Sequence, residues 1–317
     1  MSIIYIVVPC YNEEQVLPET SSVLKKKLRT LIADNKISDK SRIVFVNDGS
    51  GDSTWSLIEQ LASEDNIFQG IKLSRNKGHQ NALLAGLMTV KDHCDAAISM
   101  DADLQDDINA IDEMIEKFEG GCDIVYGVRS ERKTDTFFKK STAQAYYKLL
   151  ALMGVDIVYN HADYRLMSRR ALGDLEQFRE VNLFLRGIVP MIGYKTDTVY
   201  YERHERFAGE SKYPLKKMLA FAMEGITSFS VKPIRFITSA GFILFVLSIL
   251  MLIYFLVRHF TGHTVAGWTS LAFSVWAIGG LQLLAIGIVG EYIGKIYMET
   301  KARPKYIIEK YLHNDDK

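Results

Sequence analysis

The chain is poor in cysteine and carries no excess of either charge. Cys10, Cys94 and Cys122 form an odd, scattered set without a CxxC spacing, so neither a disulfide framework nor a zinc site is expected. The 38 basic and 38 acidic residues cancel, which offers no support for a nucleic-acid binder. No basic segment precedes the first apolar run, Ile3 to Val8, and Pro9 ends it. That run is therefore expected as a first strand and not a signal peptide. Internal repeats, low-complexity tracts and long Gly/Ser linkers are missing too. What remains is a length of 317 residues, suited to one substantial soluble domain with an appendage.

The appendage is plain in the hydropathy. Phe236 to Val257 and Thr264 to Gly290 contain no charged residue, and each exceeds the roughly 20 residues a helix needs to cross a bilayer. Only Arg258 to His263 lie between them, so a two-helix hairpin is expected. Lys232 and Arg235 precede it, and Lys295, Lys301, Arg303 and Lys305 follow it. The positive-inside bias then places both termini and the N-terminal domain in the cytoplasm, with the chain expected as a multi-pass protein of the plasma membrane. Ahead of the hairpin, Leu215, Met218, Leu219, Ala222, Ile226 and Phe229 repeat at helical spacing after Pro214. This stripe predicts an amphipathic helix, lying in the membrane interface or packed internally. The expected divisions are a catalytic domain over 1–213, an interfacial helix over 214–235, spans near 236–257 and 267–290, and a basic juxtamembrane segment over 291–317.

Within the first division, strand-like runs alternate with helix-period segments. Ile3 to Val8, Arg42 to Val46, Gly70 to Leu73, Ala96 to Met100 and Asp123 to Tyr126 read as strands; Glu13 to Ile32, Ser53 to Ala62, Gly78 to Val90 and Ile108 to Phe118 read as helices. Such an order predicts an α/β fold with a largely parallel, Rossmann-like sheet covered on both faces. Ligands of these sheets sit beyond the carboxyl ends of the strands. Three of those ends are unusually polar: Pro9-Cys10-Tyr11-Asn12-Glu13-Glu14, Asn47-Asp48-Gly49-Ser50-Gly51-Asp52-Ser53 and Asp101-Ala102-Asp103-Leu104-Gln105-Asp106. Singly, each reads equally well as a turn or a helix cap. Together on one sheet edge they point to a site. Asp101 and Asp103, with Gln105 two residues on, offer hard oxygen ligands for Mg²⁺ or Mn²⁺ beside a diphosphate.

The motifs VPCYNEE, VNDGSGDST, DADLQD, ADYRLMSRR and RFAGESKY, in this order and followed by two apolar spans, resemble the polyprenyl-phosphate glycosyltransferases. These are the dolichol-phosphate-mannose-synthase-like branch of family-2 inverting glycosyltransferases, with a GT-A fold. The resemblance covers essentially the whole chain. It implies that Pro9, Tyr11 and Glu13 frame a nucleoside and that Asp48 bonds its base. Asp101, Ala102 and Asp103 would line the ribose and diphosphate, with Arg129 near the phosphates, and Asp103, Gln105 and Asp101 would hold the metal. Asp163 matches the carboxylate proposed as general base or acceptor-positioning group; a structural pairing with Arg165 or Arg169 is the alternative. Arg203, Arg206, Ser211 and Lys212 match the segment that meets the acceptor phosphate; Lys140, with Lys139, matches a second basic position there more loosely.

The implied reaction moves a sugar, glucose or N-acetylglucosamine first and aminoarabinose or mannose after them, from a UDP-linked donor to undecaprenyl phosphate. Its partners would be the nucleotide sugar, the polyprenyl phosphate and the bilayer, with no nucleic acid. A homo-oligomer, a tetramer, is expected, with a flippase and a further sugar transferase downstream. A processive polysaccharide synthase is the rival enzyme, but its QxxRW motif is missing, since none of Trp55, Trp268 or Trp276 follows an arginine. A non-catalytic nucleotide-binding scaffold is the rival of another class, and the intact Asp101, Asp103, Asp163 and Arg206 argue against it.

Overall fold

The computed structural model describes residues 1–130, 161–180, 183–202 and 268–313, with helical residues 234, 236–239, 241–243, 246–247, 250, 253–254 and 257. The chain divides into two compact units: Met1–Tyr147 with Asp156–Tyr213 and Ala302–Lys317, and Lys148–Val155 with Pro214–Lys301.

The first unit is built on an eight-stranded sheet of order β7-β5-β6-β4-β1-β2-β3-β8. Its central strand β1 (Ile4–Cys10) is buried along its whole length. It pairs in parallel with β2 (Arg42–Asn47) on one side and β4 (Ala96–Ser99) on the other. Strand β3 (Phe68–Leu73) continues the parallel set beyond β2. Runs of β-branched and aliphatic residues form these strands because both faces are covered, which removes the alternation of a half-exposed sheet. Helices α1 (Leu17–Ala33), α2 (Thr54–Glu64), α3 (His79–Val90) and α4 (Ala110–Glu119) supply the cover. Helix α1 buries Leu17, Leu24, Leu28 and Leu31, the apolar stripe of a helix lying on a sheet. Helix α3 lies so close that a Cβ at Gly86 would come within 2.4 Å of a Val7 methyl and 2.7 Å of a Val46 methyl. Only glycine fits there.

The five expected strands and four expected helices are all present. Three strands and two short helices were not foreseen. Strand β6 (His161–Ser168) runs antiparallel between β4 and β5 (Ile124–Arg129). Strand β7 (Thr196–Tyr201) is parallel to β5, and β8 (Ile308–Leu312) is antiparallel to β3 at the far edge. Six of the eight strands thus share one direction, a mostly parallel sheet. Strand β6 hid from the hydropathy pattern because it buries Asp163 and Arg165 among its apolar residues. Strand β8, five residues long on an exposed edge, lies within the segment expected as juxtamembrane. Helices α5 (Arg169–Leu175) and α6 (Leu185–Met191) are too short to show a period. The cysteines are all buried and unpaired; burial raises the Cys94 thiol to about 12, so it stays protonated and inert.

In the second unit, α7 (Trp268–Lys301) is 34 residues long and continues past the expected end of the second span. Its part Ile278–Lys301, at mean hydropathy 1.3, is long and apolar enough to cross a membrane. It is the one such helix among the described residues. Those described within the other apolar run are helical, and Phe236, Phe242 and Ile243 there are exposed. The expected interfacial helix over 214–235 lies, but for residue 234, outside the described residues.

Candidate active site

Sheet topology alone gathers the chemistry at one edge. Strands β1, β2, β3, β4, β5 and β7 point the same way, so residues following them share that edge, and β6, running backwards, brings its first residues there. The register pairs Ser99 with Arg165; two more steps set Asp101 across from Asp163. His79, first residue of α3, arrives from the end of β3. Its Nε2 lies 3.4 Å from Asp101 Oδ1 and 3.8 Å from Asp163 Oδ2.

The loops after β1 and β2 are laced together. Ser50 Oγ accepts the Asn12 N–H at 3.0 Å, Asn12 Oδ1 accepts the Gly51 N–H at 2.9 Å, and Thr54 Oγ1 accepts the Glu13 N–H at 2.9 Å. A cavity of about 460 Å³ opens beside them, lined by Asn12 to Val16 with Gly51 and Asp52. Asp48 is buried and accepts the N–H groups of Lys77 at 2.7 Å and Gly78 at 2.9 Å. Burial raises its carboxyl above the usual value, and the two amides hold it back. Gly49, at φ +65°, passes so near the same loop that a Cβ would meet Asn76 N at 2.5 Å and Arg75 C at 2.6 Å. Gly49→Ala is therefore expected to destabilise the fold by about 2 kcal/mol through forced left-handed backbone and displacement of residues 75–76. Urea denaturation measures this, and a loss below about 0.5 kcal/mol would refute it.

After β4, Ala102 is buried and its carbonyl accepts from Thr20 Oγ1 at 2.7 Å. Leu104 turns the chain at φ +53°, and Asp103 Oδ1 accepts the Gln105 N–H at 3.2 Å. The Asp101 carboxyl is raised above its ordinary value, by burial first and by Asp163, Asp106 and Asp103, with His79 opposing them. Carboxylates crowded in this way favour a cation. No group of three or more His, Cys, Asp or Glu forms a metal cage among the described residues. Mg²⁺ beside a nucleotide needs only one or two carboxylates plus phosphate oxygens, so Asp101, Asp103 and Gln105 suit it as donors.

Asp163 is the most heavily paired carboxylate of the site. Arg165 Nη2 donates to Oδ1 at 2.5 Å; Arg186 donates to Oδ2 through Nη2 at 3.1 Å and to Oδ1 through Nε at 3.4 Å. Burial pushes its carboxyl up, but Arg186, Arg165 and His79 together hold it well below the usual range. Asp163 is thus ionised and a poor proton acceptor at neutral pH. On the other side, Arg129 donates to buried Asp106 at 3.1 Å and to Tyr201 Oη at 3.3 Å, while Tyr201 donates to Asp106 at 2.6 Å.

Tyr11, Glu13, Asp48, Asp101, Ala102, Asp103 and Gln105 follow strand ends on this edge, Pro9 and Arg129 lie within the last two residues of β1 and β5, and Asp163 is near the start of β6. Lys139, Lys140, Arg203, Arg206, Ser211 and Lys212 lie outside the described residues. His79, Arg186 and Tyr201 were not singled out from the sequence; Asp106 was read only as part of a polar strand end, and Arg165 only as a structural partner of Asp163, a pairing that the structure contains.

The profile of Glycosyl transferase family 2 matches residues 5–176. A Bacillus subtilis (strain 168) relative, named "Uncharacterized glycosyltransferase YkoT", is 55% identical over 313 residues, 99% of this chain and 93% of its own. The "Prophage bactoprenol glucosyl transferase homolog" of Escherichia coli (strain K12) is 41% identical over 314 residues, covering 97% of this chain and 98% of the relative. The "Bactoprenol glucosyl transferase" of Shigella phage SfII is 42% identical over 311 residues, 97% of each chain.

Proposed function

The chain belongs to glycosyl transferase family 2, and from that premise we propose that it transfers one glucose from UDP-glucose to undecaprenyl phosphate with inversion at the anomeric carbon. The observation that carries this reading is the end-to-end similarity to proteins named for bactoprenol glucosyl transfer, which takes in the apolar C-terminal part as well as the sheet. N-Acetylglucosamine is the next donor sugar.

In the reaction, an oxygen of the lipid phosphate forms a bond to the anomeric carbon as the bond from that carbon to the diphosphate oxygen breaks. The nucleoside diphosphate leaves with the electron pair. A phosphate monoester, with a second pKa of about 6, is already an anion at neutral pH and has little need of a base. The low proton affinity of Asp163 fits that requirement: it orients and does not deprotonate. Pro9, Tyr11, Glu13 and Asp48 hold the nucleoside, and Asp101, Ala102 and Arg129 the ribose and phosphates. Asp103, Gln105 and Asp101 would hold Mg²⁺ or Mn²⁺, which when bound supplies positive charge to the departing diphosphate. Arg203, Arg206, Ser211, Lys212 and Lys140 take the acceptor phosphate.

Parity supports two membrane crossings. Strands β7 and β8 belong to one sheet, so the chain between Tyr201 and Ile308 crosses a bilayer an even number of times. Helix α7 supplies one crossing and Phe236 to Val257 the other, with the sheet and both termini cytoplasmic. A homo-oligomer of four chains, and a flippase and a further sugar transferase that take the product onward, complete the reading.

The test is a donor panel of UDP-glucose, UDP-N-acetylglucosamine, UDP-aminoarabinose and GDP-mannose, with radiolabelled undecaprenyl phosphate and the full chain in nanodiscs. UDP-glucose is expected to give a single-sugar lipid, in a reaction that chelator stops and added Mg²⁺ or Mn²⁺ restores. Elongating polymer, or no lipid product from any donor, would overturn it.

A further inference from the structure

Resting on the proposed reaction, we infer that His79 is a positioning residue that couples the two substrates: it passes one N–H from Asp101, on the donor side, to Asp163, on the acceptor side, once the donor side is loaded. The inference starts from a count of donors. Nε2 of His79 lies 3.4 Å from Asp101 Oδ1 and 3.8 Å from Asp163 Oδ2. Facing two carboxylates, that nitrogen carries a hydrogen whether the ring is neutral or charged. One N–H cannot be given fully to both oxygens, and both separations exceed the roughly 3.2 Å limit of a good N–H···O bond. The ring is shared between the carboxylates and committed to neither.

Its surroundings fix where it sits and leave it room to turn. Lys77 and Gly78 donate their N–H groups to Asp48 at 2.7 and 2.9 Å, and Gln80 Oε1 accepts the Leu185 N–H at 2.9 Å. The segment 77–80 is thereby tied to the nucleoside side of the site and to α6, while the His79 side chain stays 44% exposed. The two carboxylates it joins are held unequally. Asp163 accepts from Arg165 at 2.5 Å and from Arg186 at 3.1 Å, so its place does not depend on His79. Asp101 is pressed by Asp163, Asp106 and Asp103, and His79 opposes them. A cation and diphosphate arriving beside Asp101 relieve that repulsion and occupy its oxygens. The N–H then has one carboxylate left, at Asp163 Oδ2. A charge-assisted bond there fixes the acceptor-side carboxylate and offsets part of the negative potential it turns toward a lipid phosphate. The acceptor therefore binds more tightly after the donor than before it.

The experiment measures equilibrium binding of farnesyl phosphate to the full chain in nanodiscs, with and without saturating UDP and Mn²⁺, for wild type, His79→Ala and His79→Gln. Wild type is expected to bind farnesyl phosphate about five- to twenty-fold more tightly when UDP and Mn²⁺ are present. In His79→Ala that ratio should fall below about two-fold, while affinity for UDP and Mn²⁺ alone stays within about three-fold of wild type. His79→Gln, whose amide N–H reaches a comparable position, should recover part of the ratio. An Ala variant that keeps the wild-type ratio overturns the inference, since attraction through space between the cation and the lipid phosphate does not pass through the ring. Weaker binding of each ligand alone with the ratio intact marks a plain binding role and overturns it as well. So does a wild-type ratio below about two-fold, or a Gln variant no better than Ala. If the Ala variant does not fold, His79→Asn, whose amide stops short of the Nε2 position, decides by the same ratio. A His79-dependent ratio in a protein that transfers no sugar to farnesyl phosphate from any donor would sink the proposed reaction and leave the coupling standing; normal transfer with the ratio unchanged in the variant does the reverse.

Discussion

Asp103→Asn is expected to lower sugar transfer by about a thousand-fold, close to 4 kcal/mol in the barrier, while the fold survives. The substitution keeps the size of the side chain and the oxygen that accepts the Gln105 N–H at 3.2 Å, so the turn through Leu104 persists. It removes one charge from a group of carboxylates whose mutual repulsion contributes to the raised Asp101 carboxyl. Stability should therefore stay within about 0.5 kcal/mol of wild type, or rise slightly. What is lost is the negative charge that holds a divalent cation beside a diphosphate. Turnover of the purified variant, its melting temperature and its uptake of Mn²⁺ in the presence of UDP measure the three consequences separately. Near-normal turnover of the variant in excess chelator would remove Asp103 from the metal site, and a large fall in melting temperature would turn the result into a folding defect.

The contrast between Asp103 and Asp163 shows what the sequence could reveal. Strands β1, β2 and β4 are short apolar runs with polar residues directly behind them, so Asp48, Asp101 and Asp103 announced themselves as strand-end residues. Both apolar C-terminal runs were equally plain. Arg186 and His79 were not, because nothing local marks them: one is the second residue of a seven-residue helix and the other opens a twelve-residue one. Their roles exist only once β6 turns back between β4 and β5. That reversal was itself concealed, since a strand that buries an arginine and an aspartate breaks the hydrophobic pattern by which strands are recognised. Strand β8 was hidden for another reason: the partner that orders Ile308–Leu312 is β3, more than 230 residues earlier in the chain.

For Asp163 the reversal changes the expected result. From the sequence, Asp163→Asn should slow the chemical step while nucleotide binding survives, unless Asp163 serves to pair structurally with Arg165 or Arg169. In the structure, the same change strips the carboxylate from two guanidiniums, one of them 1% exposed. An asparagine oxygen still accepts a hydrogen bond but cancels no charge, so the variant is expected to lose about 3–5 kcal/mol of stability, a large share of a domain's total. The pH dependence separates charge from shape. The Asp163 carboxyl is lowered by folding, so its stabilisation is complete above the unfolded value of about 3.9 and fades as pH falls towards the folded one. The stability gap between wild type and Asp163→Asn should hold constant from pH 7 to about 5 and narrow below about 4. Adding Arg165→Met, which replaces the stranded buried cation with an apolar chain of similar length, should recover most of the stability but none of the transfer activity. Denaturant titrations of the three variants at several pH values, paired with turnover, decide it. A gap under about 1 kcal/mol at pH 7 would mean that solvent or another group compensates Arg165, and full activity in the double variant would show that Asp163 is needed only for the fold.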